Sequence, residues 1–337
     1  MYKSPHFQRK FSYKKSMKCM AIWEENMSIK LSVITPIYNG AAYLEAFFKN
    51  ILTQTFTDFE LILVDDGSTD NSKDIINEYK NRIDIKVLSA SHSGVGMARR
   101  LAMQVATGDY VTFVDVDDYF TEFHFEKYLE TIVMQKSDLV FNKVNVQKKI
   151  HKWVQPLPYD GWVDSNVVIE GMLDGKINGW LFQTISKRDF WKQESFVENV
   201  NFAEDLVALV LNLQSRHNKK IWFSNKNEPT YIYEQNPKSI TNSFNPEMAR
   251  QLILSMESIA NGEATVATNI DFSKFILRQL LYVYRKSIIL KHKESISILR
   301  NYMLSNSSWL NIPFVMRFKI RFGLFGLRAR FFSNNKE

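Results

Sequence analysis

The chain of 337 residues has one cysteine, Cys19, so it cannot close an internal disulfide, and no metal-ligand spacing surrounds that thiol. A reducing compartment is expected. No run of about 18 apolar residues occurs, so no transmembrane helix is expected. The N-terminus is basic but lacks the apolar core of a signal peptide. The Gly-x-Gly-x-x-Gly dinucleotide fingerprint is missing: Gly94-Val95-Gly96 has no third glycine and follows the wrong strand. There is no P-loop either, so nucleotide phosphates would need another holder. None of the six histidines has a partner at metal-ligand spacing. Internal repeats and low-complexity tracts are absent.

What is present is ordinary globular composition, 45% hydrophobic and 23% charged, enough for a sizeable core. The net charge of +7 points to an anionic partner: nucleic acid, membrane or phosphorylated substrate. That charge is terminal. Residues 1–30 hold seven basic against two acidic side chains, and 301–337 hold six against one, leaving the middle slightly acidic. A nucleic-acid reader would carry its basic stripe on the folded module, so no nucleic acid is expected. Met27 stands just before the first expected strand, which makes residues 1–26 a candidate dispensable extension.

Periodicity places strands at Ile29–Pro36, Phe59–Val64, Ile85–Leu88 and Tyr110–Val114, with helices at Ala41–Thr53, about Ser68–Lys80 and Val95–Thr107 between them. Ser68 or Asp70 is the expected cap of the second helix. Phe59–Val64, apolar at every position but Glu60, reads as a strand covered on both faces. Further on, a helix over Asp118–Gln135, a strand over Leu139–Val146 and a polar link over Lys148–Asp160 are expected. A helix at Val167–Leu173, an apolar helix after Asp205, strands at Ile221–Phe223 and Pro229–Tyr233, and helices from Asn245 onward complete the pattern. Alternating β and α units predict a doubly wound sheet. Ligands in such sheets sit beyond the carboxyl ends of the strands. TPIYNG, VDDGSTD and VDVDD all fall there.

The chain is organised around Tyr110-Val111-Thr112-Phe113-Val114, a buried strand that runs into Asp115-Val116-Asp117-Asp118. If strand geometry continues, Asp115 and Asp117 share a face with α-carbons about 6–7 Å apart. Their hard oxygens suit Mg²⁺ or Mn²⁺ with substrate phosphates completing the shell. Alone, the same residues are an acidic turn closing a core strand.

Taken together, SVITPIYNGAAYLEAFFKNILTQTFTDFELILVDDGSTDNS, SGVGMARRLAMQVATGDYVTFVDVDD, FAEDL and YIYEQNPKSITNS resemble the family 2 glycosyltransferases over roughly Ile29–Ser243. The resemblance implies a GT-A fold: a doubly wound, mostly parallel α/β sheet with helices on both faces, here followed by a C-terminal helical extension. It implies inverting, metal-dependent transfer of a hexosyl-type sugar from a nucleotide sugar, a UDP-sugar first, to a glycan or lipid-linked hydroxyl in surface polysaccharide synthesis. By position, Pro36, Tyr38 and Asp66 would contact the nucleoside, with Asp65 close by, and Arg99 would lie near the base or phosphates. Asp115 would face the ribose and metal, Asp117 would ligate Mn²⁺ or Mg²⁺, and Asp205 would be the catalytic base. Arg100 stands where the family commonly has Asn, and Val116 where it has a small polar residue.

Plainer readings stand beside these. Asp205 could be a helix N-terminal acid stabilised by the dipole, and Glu204 is the alternative base. Trp162, Trp180 and Trp191 could stack on an acceptor sugar or simply pack. An inactive nucleotide-binding homologue and a membrane-surface adaptor are the rival classes. The expected organisation is a basic extension (1–28), a nucleotide-sugar half (29–135), an acceptor half with the base (136–244) and a basic helical region (245–337). Asn236–Ser243 is expected to close over the diphosphate. Trp309–Phe332, aromatic with arginines set into it, is expected to associate with an anionic membrane surface from the cytoplasmic side.

Overall fold

The computed structural model describes residues 29–80, 82–214, 219–235, 246–263 and 272–321. The N-terminal extension, the Asn236–Ser243 loop and the tail beyond residue 321 lie outside them.

The first half alternates strand and helix: β1 (Leu31–Ile37), α1 (Ala41–Leu52), β2 (Phe59–Asp65), α2 (Ser72–Tyr79), β3 (Ile85–Ser89), α3 (Val95–Val105) and β4 (Tyr110–Phe113). There follow β5 (Tyr119–Phe120), α4 (His124–Gln135), β6 (Leu139–Asn142), β7 (Val144–Lys148), β8 (His151–Gln155), β9 (Gly161–Val163) and α5 (Ser165–Leu173). β10 (Thr184–Lys187), α6 (Glu204–Gln214), β11 (Ile221–Ser224) and β12 (Tyr231–Glu234) precede four C-terminal helices. These are α7 (Pro246–Glu263), α8 (Phe272–Ile289), α9 (Lys293–Ser305) and α10 (Phe314–Arg321).

Eight strands form the main sheet in the order β3-β2-β1-β4-β10-β6-β11-β9. β10 and β9 run antiparallel to their neighbours and the rest share one direction. Both faces are covered, which the continuous apolar strands require. Leu61 and Leu63 of β2 pack into one core with α1, α2 and α4, while Ile62 and Val64 pack into the other with α3, α5 and α6. The second core continues without a break into α7–α10 through Leu252, Met256, Ile276, Tyr284 and Leu299.

A second sheet, in the order β5-β12-β7-β8, stands beside the first. It accounts for most departures from the sequence expectations. The run Leu139–Val146 is two strands: β6 belongs to the main sheet, Lys143 is the switch, and β7 belongs to the small one. The expected polar link 148–160 contains β8, an edge strand with no buried face to give it a pattern. The helix expected from Asp118 begins only at His124, because Tyr119 and Phe120 pair with β12 first. The cap of α2 is Asn71, without a side-chain bond; Asp70 instead accepts from Ser72 N and Ala41 N. Finally, β4 stops at Phe113, so the alternation that would carry Asp115 and Asp117 on one face does not persist.

Candidate active site

Three loops leave the carboxyl ends of β1, β2 and β4. The first two are stitched together. Asn39 N donates to Ser68 Oγ at 2.9 Å, Thr69 N to Asn39 Oδ1 at 2.8 Å, and Gly40 N to Ser72 Oγ at 3.0 Å. Asp65 is buried and accepts from Ser68 N, with Lys73 Nζ 3.4 Å away, so it holds its own turn. Asp66 is buried as well. Its two oxygens accept from Ser93 N and Gly94 N, each at 2.7 Å, and fix the approach to α3. Gly94 has φ +91°, and a Cβ there would strike the Asn201 side chain, so only glycine serves. Pro36 is half-buried within β1, one residue before its end, and Tyr38 is exposed beside His92, ring centroids 4.4 Å apart. Pro36, Tyr38, Asp65 and Asp66 therefore gather at the carboxyl ends of β1 and β2, with Tyr38 open to solvent and both aspartates buried.

Arg99 belongs to α3. It rides the buried side of α3 with Ala98 and Ala102 and is 3% exposed. Its guanidinium faces three carboxylates. One nitrogen donates to Asp205 Oδ1 at 2.6 Å and Glu204 Oε1 at 3.1 Å, the other to Asp115 Oδ1 at 3.3 Å. Burial opposes its charge, but Asp205, Asp115 and Glu204 more than offset this and hold it protonated. The residues at 99, 115 and 204–205 are thus one electrostatic unit.

Asp115-Val116-Asp117-Asp118 is a turn, closed by Asp118 N donating to Asp115 O at 3.3 Å. Its shape is held from a distance. The Tyr231 hydroxyl accepts from Asp115 N at 3.1 Å and donates to Asp118 Oδ2 at 2.7 Å, while Glu234 N donates to Asp118 Oδ1 at 2.8 Å. Burial raises the Asp115 carboxyl to about 6, Arg99 opposing and Asp205 and Asp117 adding. Burial also raises Asp117, and raises Asp118 well above the usual range with help from Asp115 and Asp117. Negative charge is thus concentrated on hard oxygens, and a divalent cation would relieve it. Among the described residues no three His, Cys, Asp or Glu side chains converge into a metal cage. Asp115 and Asp117 alone would need donor phosphates to complete the shell of such a cation.

Glu204 and Asp205 open α6. Ala203 just before them has φ 57°, a left-handed conformation that costs about 1–2 kcal/mol in a residue with a Cβ. Asp205 Oδ2 accepts from Leu181 N at 3.0 Å. Gly179 makes that approach possible, since a Cβ there would come within 2.9 Å of the Leu206 backbone. Burial and the neighbouring Asp205 charge push Glu204 up to about 8. The neutral form of Glu204 is thereby favoured.

Sequence reasoning missed Tyr231, Tyr233 and the clamp on Asp118. Burial, then the charges of Asp118, Asp115, Asp117 and Asp205, raise the Tyr233 hydroxyl to about 12, which puts it beside the same cluster. The i, i+2 spacing of the two tyrosines on a strand was the available signal. Trp180 is near Tyr233, centroids 5.4 Å apart. Trp191 is core, packed edge-on to Phe113, and Trp162 sits against Trp222 on the far edge of the main sheet. Neither reaches the site.

Residues 32–193 match the family described as Glycosyl transferase family 2. The chain is 28% identical to glycosyltransferase EpsJ of Bacillus subtilis over 66% of each protein. It is 27% identical to glycosyltransferase GlyG of Streptococcus pneumoniae over 67% of this chain and 78% of that one. A shorter stretch, 28% of this chain and 17% of the relative, is 39% identical to the poly(ribitol-phosphate) beta-N-acetylglucosaminyltransferase TarS of Staphylococcus aureus. The crystal structure of S. aureus TarS 1–349 in complex with UDP-GlcNAc superposes with a TM-score of 0.63 at 20% identity, covering 89% of this chain and 91% of that one. This likeness is one of fold. The chain thus aligns with just under two thirds of EpsJ and with a small part of full-length TarS.

Proposed function

This chain belongs to glycosyl transferase family 2 through residues 32–193, and on that premise we propose that it moves a sugar from a UDP-sugar to a hydroxyl of a glycan or lipid-linked acceptor, with inversion, in surface polysaccharide synthesis. The relatives' printed activity and the UDP-GlcNAc complex of TarS support the donor class. The observation that carries the reading is the single cluster in which Arg99 joins the Asp115 turn to Asp205.

In this reading Asp205 accepts the proton of the attacking hydroxyl. Arg99 and Leu181 N orient its carboxylate, and each bonded oxygen keeps a lone pair for the acceptor. Glu204, protonated and bonded to the same guanidinium, spares the cluster one negative charge. Pro36, Tyr38, Asp65 and Asp66 frame the nucleoside. Mn²⁺ or Mg²⁺ would be held by Asp115 and Asp117 and would act as Lewis acid on the departing diphosphate. Calorimetry with UDP, with and without Mn²⁺, tests the reading, and no binding of any nucleoside diphosphate overturns it.

Peripheral attachment to an anionic inner membrane surface belongs to the same proposal. α10 exposes Phe314 and Val315 beside Arg317, while Ile320 docks under Tyr284, whose hydroxyl donates to its carbonyl at 2.9 Å. A basic residue near such a leaflet contributes on the order of 1 kcal/mol. Sedimentation with anionic liposomes, comparing the full chain with one ending at Ser308, is the check; equal binding by both removes the tail as an anchor. No described helix is long and apolar enough to span a membrane.

A further inference from the structure

The small sheet does more than brace the Asp115 turn. Its register sets Tyr233 of β12 directly opposite Val146 of β7, and Val146 directly opposite Trp153 of β8. Cα partners across a ladder share a face. Tyr233, Val146 and Trp153 therefore form a row across the sheet, with Val146 buried between two rings that remain accessible. At about 4.8 Å per strand the row spans about 10 Å. Its inner end is at the catalytic carboxylates: Tyr233 feels Asp115, Asp117, Asp118 and Asp205, and Trp180 beside it precedes the Leu181 N–H that holds Asp205. Its outer end is the open edge of the sheet, since β8 pairs only with β7 among the described strands. Trp153 is 41% exposed there.

The outer end is also basic. Lys148 lies on the same face, two residues beyond Val146, and Lys149 stands in the turn that follows, while Lys152 belongs to the opposite face. No acidic residue occurs from 144 to 155.

We propose that this face, from Trp180 and Tyr233 across to Trp153 and Lys148, is a platform for an anionic glycan chain whose reacting hydroxyl lies at Asp205. The inference rests on the transferase reading and names the acceptor class it left open. The C–H face of a sugar ring is apolar and weakly electropositive, and it complements the negative face of an aromatic ring. Two rings at the ends of the row would hold sugars in succession, as an extended chain leading to the base requires. The lysines would neutralise carboxylate or phosphate groups on the distal part of the chain, a contribution that salt screens.

The test uses the full chain on an immobilised set of neutral and acidic oligosaccharides, the acidic ones carrying uronate or phosphate, at low ionic strength. UDP-sugar hydrolysis by the wild-type protein is measured in parallel. Wild type should be retained on acidic oligosaccharides and released by salt. Trp153→Ala should lower retention at least tenfold, Trp153→Phe should restore most of it, and Lys148→Glu should abolish the preference for acidic chains. Both residues are exposed, and a melting curve for each variant reports its fold. Absence of retention, equal retention of wild type and Trp153→Ala, or equal binding to neutral and acidic chains overturns the platform. So does a Trp153-dependent preference for anionic liposomes over glycans, which would make the face a membrane contact. Retention without hydrolysis of any UDP-sugar would instead overturn the transferase reading and leave the glycan surface standing.

Discussion

Tyr231→Phe is the smallest change that should disable the Asp115 turn. It deletes one oxygen and leaves the ring, which stacks on Phe182 at 4.9 Å, in place. Two bonds vanish: the acceptor for Asp115 N and the donor to Asp118 Oδ2. Tyr231 is fully buried and Asp118 nearly so, so water does not replace the hydroxyl freely. A buried polar group left without its partner costs about 1–3 kcal/mol. Two such losses, partly relieved because Asp118 keeps Glu234 N, give about 2–4 kcal/mol of stability. The denaturant midpoint reads this directly. A double-mutant cycle with Asp118→Asn isolates the pair, with an expected coupling of about 1–3 kcal/mol. Calorimetry supplies the functional side. Mn²⁺-dependent UDP affinity should drop about tenfold, or about 1.4 kcal/mol, while metal-free UDP binding is unchanged. Additivity within about 0.5 kcal/mol, with unaltered metal-dependent affinity, would refute the clamp.

Asp205→Asn should keep UDP-sugar affinity and lose turnover by about 10²–10⁴-fold, since it removes only proton acceptance; normal turnover would pass the base assignment to Glu204. Asp117→Asn should weaken UDP binding in the presence of Mn²⁺ and leave metal-free binding alone, and a calorimetric titration with both conditions affected equally would remove Asp117 from the metal. Glu204 titrates near 8 in the folded chain against 4.5 when exposed, so the native state holds an extra proton between those values and stability falls as pH rises through them. Glu204→Gln should flatten the dependence of melting temperature on pH across that window, and an unchanged slope would deny Glu204 its protonated state.

The units up to β4 were legible because their strands are short and largely apolar, and because the loops after β1, β2 and β4 carry the turn-rich motifs TPIYNG, VDDGSTD and VDVDD. Beyond them the signal thins for identifiable reasons. β10 (TISK) is four residues long and enters the main sheet antiparallel. β8 is solvent-exposed on both faces, so no alternation marks it. The stretch 139–148 is apolar enough to look like one strand, and nothing local announces that Lys143 passes it from one sheet to another. The site divides the same way. Asp115, Asp117 and Asp205 stand in recognisable motifs. Arg99 does too, but its carboxylate partners lie 16, 105 and 106 residues away, where spacing alone could not find them. The departure of Asp115-Val116-Asp117-Asp118 from strand geometry follows from the same non-local bonds.

The Tyr231 clamp also bears on the order of events during synthesis. Asp118 and its hydroxyl partner are 113 residues apart in the chain, and Arg99 and Asp205 are 106 apart. At about 5–20 residues per second, a ribosome that has released β4 needs several more seconds to deliver β12. In that interval β1–β4 can pair, because their contacts are local, but loop closure must precede the long-range bonds. The nascent chain therefore holds the stitched loops after β1 and β2 before it holds a shaped acidic turn or a seated Asp205, and its own topology keeps the acidic cluster from assembling until β12 has been made.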